Sequence, residues 1–168
     1  MSDTTDSRFT VVELRKLHQT LVDTKGVINV EENANVVVEN LRLIAESVVY
    51  GDNKSELLFD FFCEKNMLSL FLQLMRAECG CPSTVHIQIL QTLSILVNCV
   101  RNYTSLYYLL SNNYINEIIL FPHDFDTCEE GLRDQFVSFM KSLSLKLNTQ
   151  TVQFFFIEET GAFPLLTK

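Results

Sequence analysis

The stretch Ser83-Thr84-Val85-His86-Ile87-Gln88-Ile89-Leu90-Gln91-Thr92-Leu93-Ser94-Ile95-Leu96-Val97-Asn98-Cys99-Val100 decides the fold. Ile89, Leu93, Leu96 and Val100 recur at three- and four-residue steps, the spacing that lines one face of an α-helix. Ile87, Leu90, Ile95 and Val97 fill other faces, so this helix is apolar nearly all round and belongs at the centre of a helical protein. Ser83 after Pro82 is a good helix start, because a serine hydroxyl can accept from the first free backbone N–H groups.

Working outward, the same spacing recurs on both sides. Val11, Leu14, Leu17 and Leu21 mark an amphipathic helix that Gly26 terminates. Val37, Leu41, Ile44 and Val48 mark a second, ended by Tyr50-Gly51-Asp52-Asn53, where Gly and Asn tolerate a left-handed helix stop. Two short helices, 57–62 and 68–75, break at Lys65-Asn66, and the loop Cys79-Gly80-Cys81-Pro82 leads into the central helix. Beyond it, a short helix over 106–110 stops at Asn112-Asn113, another covers 114–121, and Pro122-His123-Asp124 forms an acidic loop. Glu129 begins a long helix with the stripe Leu132, Phe136, Phe139, Met140, Leu143 and Leu147; Phe154-Phe155-Phe156-Ile157 is a last apolar helix. With five Gly and three Pro in 168 residues, turns are too rare for a many-stranded sandwich, so the chain reads as all-α.

Charge and segment length then exclude several functions. A formal net charge of −8 repels a phosphate backbone, and no run of Lys or Arg makes a local exception, so nucleic acid is not expected as a partner. No apolar run approaches the roughly 18 residues needed to span a bilayer. The start carries Asp3, Asp6 and Arg8 and lacks the apolar stretch of a secretory signal, which places the chain in the cytosol with residues 1–8 disordered. Five scattered cysteines suit reduced thiols in that compartment.

The helical pieces repeat. Lys65-Asn66-Met67-Leu68 aligns with Asn112-Asn113-Tyr114-Ile115 and with Thr160-Gly161-Ala162-Phe163, so Asn66, Asn113 and Gly161 fall 47 and 48 residues apart. Asn and Gly accept positive φ, which predicts one backbone turn used three times. A period of roughly 40 to 47 residues is the length of HEAT and armadillo units, which stack because one unit alone leaves apolar faces uncovered. The expectation is an armadillo-like right-handed α-solenoid of about three repeats, with 1–168 as one domain.

Gly161-Ala162-Phe163-Pro164-Leu165-Leu166 resembles the Gly-small-apolar-Pro step of armadillo repeats, and Asn98 resembles the asparagine with which those repeats hold a peptide backbone. A closer likeness covers most of the chain. Phe59-Asp60-Phe61-Phe62 with Glu64-Lys65-Asn66-Met67, then Thr104-Ser105-Leu106-Tyr107-Tyr108-Leu109-Leu110-Ser111-Asn112-Asn113-Tyr114, then Ser142-Leu143-Ser144-Leu145-Lys146-Leu147-Asn148 resemble the FPL domain. Its naming triplet stands here as Phe163-Pro164-Leu165. That resemblance implies the N-terminal part of a longer protein of the Ema family. It further implies a non-catalytic scaffold or adaptor in endosomal, Golgi and autophagy–lysosome membrane trafficking, peripheral to those membranes through its partners. The implied partners are Rab GTPases, vesicle-tethering complexes and ubiquitin ligases; the alternative function is a component of a ubiquitin ligase complex regulating autophagy and mitophagy. A cargo adaptor of the nuclear-transport type would need a ladder of asparagines, and only Asn98 is present.

Chemical sites are sparse. Cys79, Cys81 and His86 have the right donor atoms for zinc, but structural zinc wants four ligands in paired knuckles, so no metal is expected. Cys128 has His123 and Asp124 nearby in sequence, yet an acidic loop raises a thiol pKa and opposes nucleophilic chemistry. His18 sits among apolar neighbours on an amphipathic helix and reads as a packed or solvated side chain. Neither a catalytic residue nor a cofactor is expected. The surface that remains is polar: Gln91, Ser94 and Asn98 form one helical stripe, and Ser138, Ser142 and Lys146 a neighbouring stripe 47 to 48 residues on, together the expected partner-binding face.

Overall fold

The computed structural model describes residues 8–123 and 130–156. Its order is α1 Val11–Thr24, α2 Glu31–Lys54, α3 Glu56–Glu64, α4 Met67–Met75, α5 Ser83–Cys99, α6 Tyr103–Ser111, α7 Asn113–Leu120 and α8 Glu130–Ser144. Short 3₁₀ turns cover Lys25–Val27 and Val152–Phe155. No strand occurs among the described residues, and the chain is all-α as its periodicity predicts.

The helix ends follow local chemistry. Thr10 caps α1 by accepting from the Glu13 N–H at 3.2 Å, and Asn102 caps α6 by accepting from Thr104 N–H at 2.9 Å. Ser83 is the first residue of α5, with Pro82 in the cap position, so it does not cap the helix as expected. Gly26 lies one residue into the 3₁₀ turn that ends α1. Gly51 departs from its sequence reading. It does not stop α2, which continues to Lys54; it is buried, and a Cβ there would lie 2.6 Å from the Leu58 Cβ. Glycine is used at this point for the close approach of α3, not for left-handed backbone.

The two described turns between short helices also differ. Asn66, between α3 and α4, is left-handed at φ 47° and is the sole non-glycine with positive φ among the described residues. Asn112, between α6 and α7, is extended at φ −78° and ψ 123°, with its side chain accepting from the Tyr114 N–H at 3.2 Å; Asn113 is already helical. The expected shared turn therefore fails here: capping the next helix demands extended backbone, whereas the Asn66 turn uses the left-handed region that asparagine tolerates. Gly161 and the Phe163-Pro164-Leu165 triplet lie outside the described residues.

α5 packs between α2 and α8, which makes it central as its composition requires. Val85, Ile89, Leu90, Leu93, Leu96 and Val97 of α5 are all buried, as are Leu132, Phe136, Phe139 and Leu143 of α8. Met140 is half-buried, and α8 ends at Ser144, so the half-buried Leu147 lies beyond it and not on its stripe as expected. The short pairs α3–α4 and α6–α7 stack alongside, α4 against α7. All of these join one apolar cluster, to which each buried Leu or Phe side chain contributes roughly 2 kcal/mol. In the last expected helix Phe155 is buried and Phe156 exposed, as suits a single 3₁₀ turn, and Ile157 lies outside the described residues.

Most polar contacts between layers bridge between 41 and 51 residues of sequence. Lys25 donates to Gln73 and Asn66 to Tyr114 across 48 residues each, and Asp52 accepts from the Arg101 N–H across 49. Thr92 donates to the Leu41 carbonyl across 51, Tyr108 to the Cys63 carbonyl across 45, and Asn98 to Ser142 across 44.

Candidate functional site

Of the six residues expected to bind partners, hydrogen bonds place Ser94, Asn98, Ser138 and Ser142 where α5 meets α8, and the six are in two different states. Ser94 and Ser142 are buried. Their hydroxyls donate to the carbonyls one turn back, Ser94 to Leu90 at 2.8 Å and Ser142 to Ser138 at 2.9 Å, which satisfies them without solvent. Each also accepts across the joint: Ser142 from Asn98 Nδ2 at 2.9 Å, Ser94 from Gln135 Nε2 at 3.5 Å. These two serines connect helices. Gln91, Asn98 and Ser138 are exposed, and Lys146 is half-buried just beyond α8. Gln91 and Asn98 are two helical turns apart on one side of α5, roughly 10 Å along its axis.

The exposed row of α5 has an uncommon composition. Thr84, Gln91, Asn98 and Cys99 face solvent, and no Asp, Glu, Lys or Arg occurs anywhere in Ser83–Cys99. The flanking helices supply the charge. On α2, Arg42 pairs with Glu39 at 2.6 Å and with Glu46 at 3.7 Å; on α8, Asp134 and Lys141 are exposed. Such surface pairs contribute little stability. What they create is an uncharged strip with charged edges, the distribution found at protein–protein interfaces, whose centres are depleted of charge.

The residues with reactive groups are placed elsewhere. Cys79 and Cys81 are half-buried; burial, with Cys79 second, pushes the Cys81 thiol up to about 12, so it is protonated at neutral pH. His86 turns away from them. Its Nε2 lies 2.9 Å from Nδ1 of His123, whose Nε2 lies 2.9 Å from the Ile118 carbonyl. A carbonyl only accepts, so His123 carries its proton on Nε2 and receives the His86 N–H on Nδ1. Phe121 and Phe136 enclose the pair, with ring centroids 5.3 Å from His86 and 4.4 Å from His123. Burial, then His123, pushes His86 down to about 4. Nothing in the sequence pointed to this pair, whose members are 37 residues apart. His18 is half-buried with its edge toward Phe61, its pKa lowered by burial and then by Lys65. Cys128 and Asp124 lie outside the described residues. Among those described, no three His, Cys, Asp or Glu side chains assemble to hold a metal ion, and no helix is long and apolar enough to cross a membrane.

The described residues define an all-helical protein whose central helix exposes an uncharged strip. Comparison with known proteins gives the family. Residues 41–168 match the FPL family, described as "Uncharacterised conserved protein", and the chain belongs to that family. It is 48% identical over 162 residues to Protein CLEC16A homolog of Drosophila melanogaster, covering 96% of this chain and 15% of that protein. It is 47% identical over 145 residues to Protein CLEC16A of Homo sapiens, covering 86% and 13%. Protein TRANSPARENT TESTA 9 of Arabidopsis thaliana is 37% identical over 161 residues, covering 94% and 18%. The chain thus spans less than a fifth of the length of these relatives. No solved structure matches it.

Proposed function

We propose that this chain is a non-catalytic, protein-binding segment of a trafficking scaffold, folded as one armadillo-like right-handed α-solenoid of about three repeats. Inter-layer hydrogen bonds that bridge between 37 and 54 residues, most of them between 41 and 51, support the repeat, as does the stacking of α2, α5 and α8. The observation that carries the function is the uncharged exposed strip of α5 between charged edges. Burying a charge in an interface costs free energy unless it is paired, and this strip presents amides and hydroxyls that need only complementary polar groups. Gln91, Ser94, Asn98, Ser138, Ser142 and Lys146 form the binding face, with Ser94 and Ser142 holding its two helices in register. Likeness to the FPL and Ema proteins supports Rab GTPases, vesicle-tethering complexes and ubiquitin ligases as partners. It supports a cytoplasmic location, peripheral to endosomes, Golgi and lysosomes.

Proximity labelling in cells tests this reading. Asn98→Ala combined with Lys146→Glu should cut labelling of Rab GTPases and tethers severalfold while far-ultraviolet circular dichroism stays unchanged. Undiminished labelling removes the face from consideration. Ubiquitin transfer in vitro by this chain alone, abolished by zinc chelation, contradicts the non-catalytic reading.

A further inference from the structure

A groove of about 440 Å³ runs over α4, between the 3₁₀ turn after α1 and helix α7, and none of the α5 strip lines it. Its floor is apolar, from Leu72 and Ala77. Its walls carry hydrogen bonds between neighbouring polar side chains. Lys25 Nζ donates to Gln73 Oε1 at 2.9 Å, and Gln73 Nε2 donates to Ser69 Oγ at 3.2 Å. Across the groove, Asn66 donates to the Tyr114 hydroxyl at 3.3 Å, and Arg76 pairs with Glu117 at 3.2 Å.

The charges in this groove are not equally engaged. Arg76 has its carboxylate in Glu117. Lys25 has only the neutral amide oxygen of Gln73; among the described residues no carboxylate stands within ion-pair distance of it. In a chain of net charge −8, an ammonium left without a counter-charge beside an apolar floor is a local positive site. Glu78, exposed on the rim, brings the formal charge of the lining to zero with Lys25, Arg76 and Glu117. With the lining neutral in sum, a dianionic phosphate would leave it two charges negative, whereas a single carboxylate on Lys25 leaves it only one. Gly26 borders the groove beside Lys25, and a Cβ built there meets no atom within 4 Å, so a larger side chain can be placed at this end without a clash.

We infer that this groove binds a short peptide segment of a partner protein, presenting one Asp or Glu to Lys25 and a neighbouring aliphatic side chain to Leu72 and Ala77. The volume lies in the range of sites that enclose a few side chains. A charge-assisted hydrogen bond from the Lys25 ammonium supplies the specificity, and the apolar floor the rest. The site deepens the protein-binding reading above and stands on a different face, so the two can fail separately.

The test is selection of random dodecapeptides displayed on phage against the whole chain, with affinities of the enriched peptides measured by fluorescence anisotropy. The expected result is enrichment of an acidic residue beside Leu, Ile or Val. Binding should fall roughly tenfold or more in Lys25→Glu, fall comparably in Gly26→Leu, which adds a side chain at that end of the groove, and persist in Lys25→Arg. Thermal melts report whether each variant is folded, and Gly26→Leu serves if Lys25→Glu is not. The Asn98→Ala, Lys146→Glu chain should bind the same peptides unchanged. Failure to enrich, enrichment of basic peptides, or binding that survives both Lys25→Glu and Gly26→Leu overturns the assignment. So does binding competed by millimolar inorganic phosphate or by phosphatidylserine vesicles as effectively as by peptide.

Discussion

The two sides of α5 solve one packing problem differently. Against α2 the helix buries aliphatic side chains, with the Thr92 hydroxyl on the Leu41 carbonyl as the polar contact within that joint. Against α8 it meets aromatic rings, Phe136 and Phe139, together with the Asn98–Ser142 and Gln135–Ser94 pairs and, at one end, a histidine pair of which His86 packs on Phe121 and His123 on Phe136. An aliphatic joint is indifferent to pH. A joint that includes the neutral His86 ring is weakened when that ring takes up a proton, so the second joint is tied to protonation and the first is not.

The largest test of that contrast is Phe139→Ala, expected to cost about 3–5 kcal/mol as a large core truncation. Native-state hydrogen exchange should then accelerate in α8 while α2 keeps its protection; equal loss in both helices would make the two joints a single cooperative unit. Next in size is acid. The folded pKa of His86, about 4, lies below its ordinary value of 6.5, so folding favours the neutral ring. Its stabilising effect is complete above about pH 6.5 and is lost as pH falls toward 4, by about 1 kcal/mol at pH 5.5 and about 3 kcal/mol at pH 4. Urea unfolding of the parent chain and of His86→Leu across this range should diverge in slope, and parallel curves would remove the histidines from the account. The smallest effect sharpens the contrast between turns. Asn66→Ser should cost about 1 kcal/mol, because serine is strained at left-handed φ, whereas Asn112→Ser should cost only a few tenths, because serine caps a helix nearly as well. Equal costs would mean the two turns are energetically alike.

Much of this architecture was legible because helices announce themselves by spacing. The apolar stripe of α8 and the all-round apolarity of α5 placed both helices correctly, since burial is what those patterns record. What was not legible shares one cause, that a letter does not say which of its properties is in use. Gly51 looked like a stop because glycine permits left-handed backbone, yet it serves because it lacks a Cβ. Asn66 and Asn112 look alike, yet one supplies a backbone conformation and the other an acceptor. Ser94 and Ser142 looked like surface because they are polar, yet a hydroxyl bonded to its own helix can be buried at little cost. The histidine pair and the Lys25 groove depend on residues brought together from distant parts of the chain, for which spacing carries no signal.

The absence of charge along α5 bears on how the chain behaves before it is assembled. Charged residues flanking apolar segments act as gatekeepers against intermolecular β pairing, and the seventeen residues of this helix contain none. Transient detachment of α8 would therefore uncover a β-branched, uncharged stretch prone to self-association. Conditions that detach α8 should therefore promote precipitation, and a single lysine introduced at Gln91 should slow it in partly unfolded solutions.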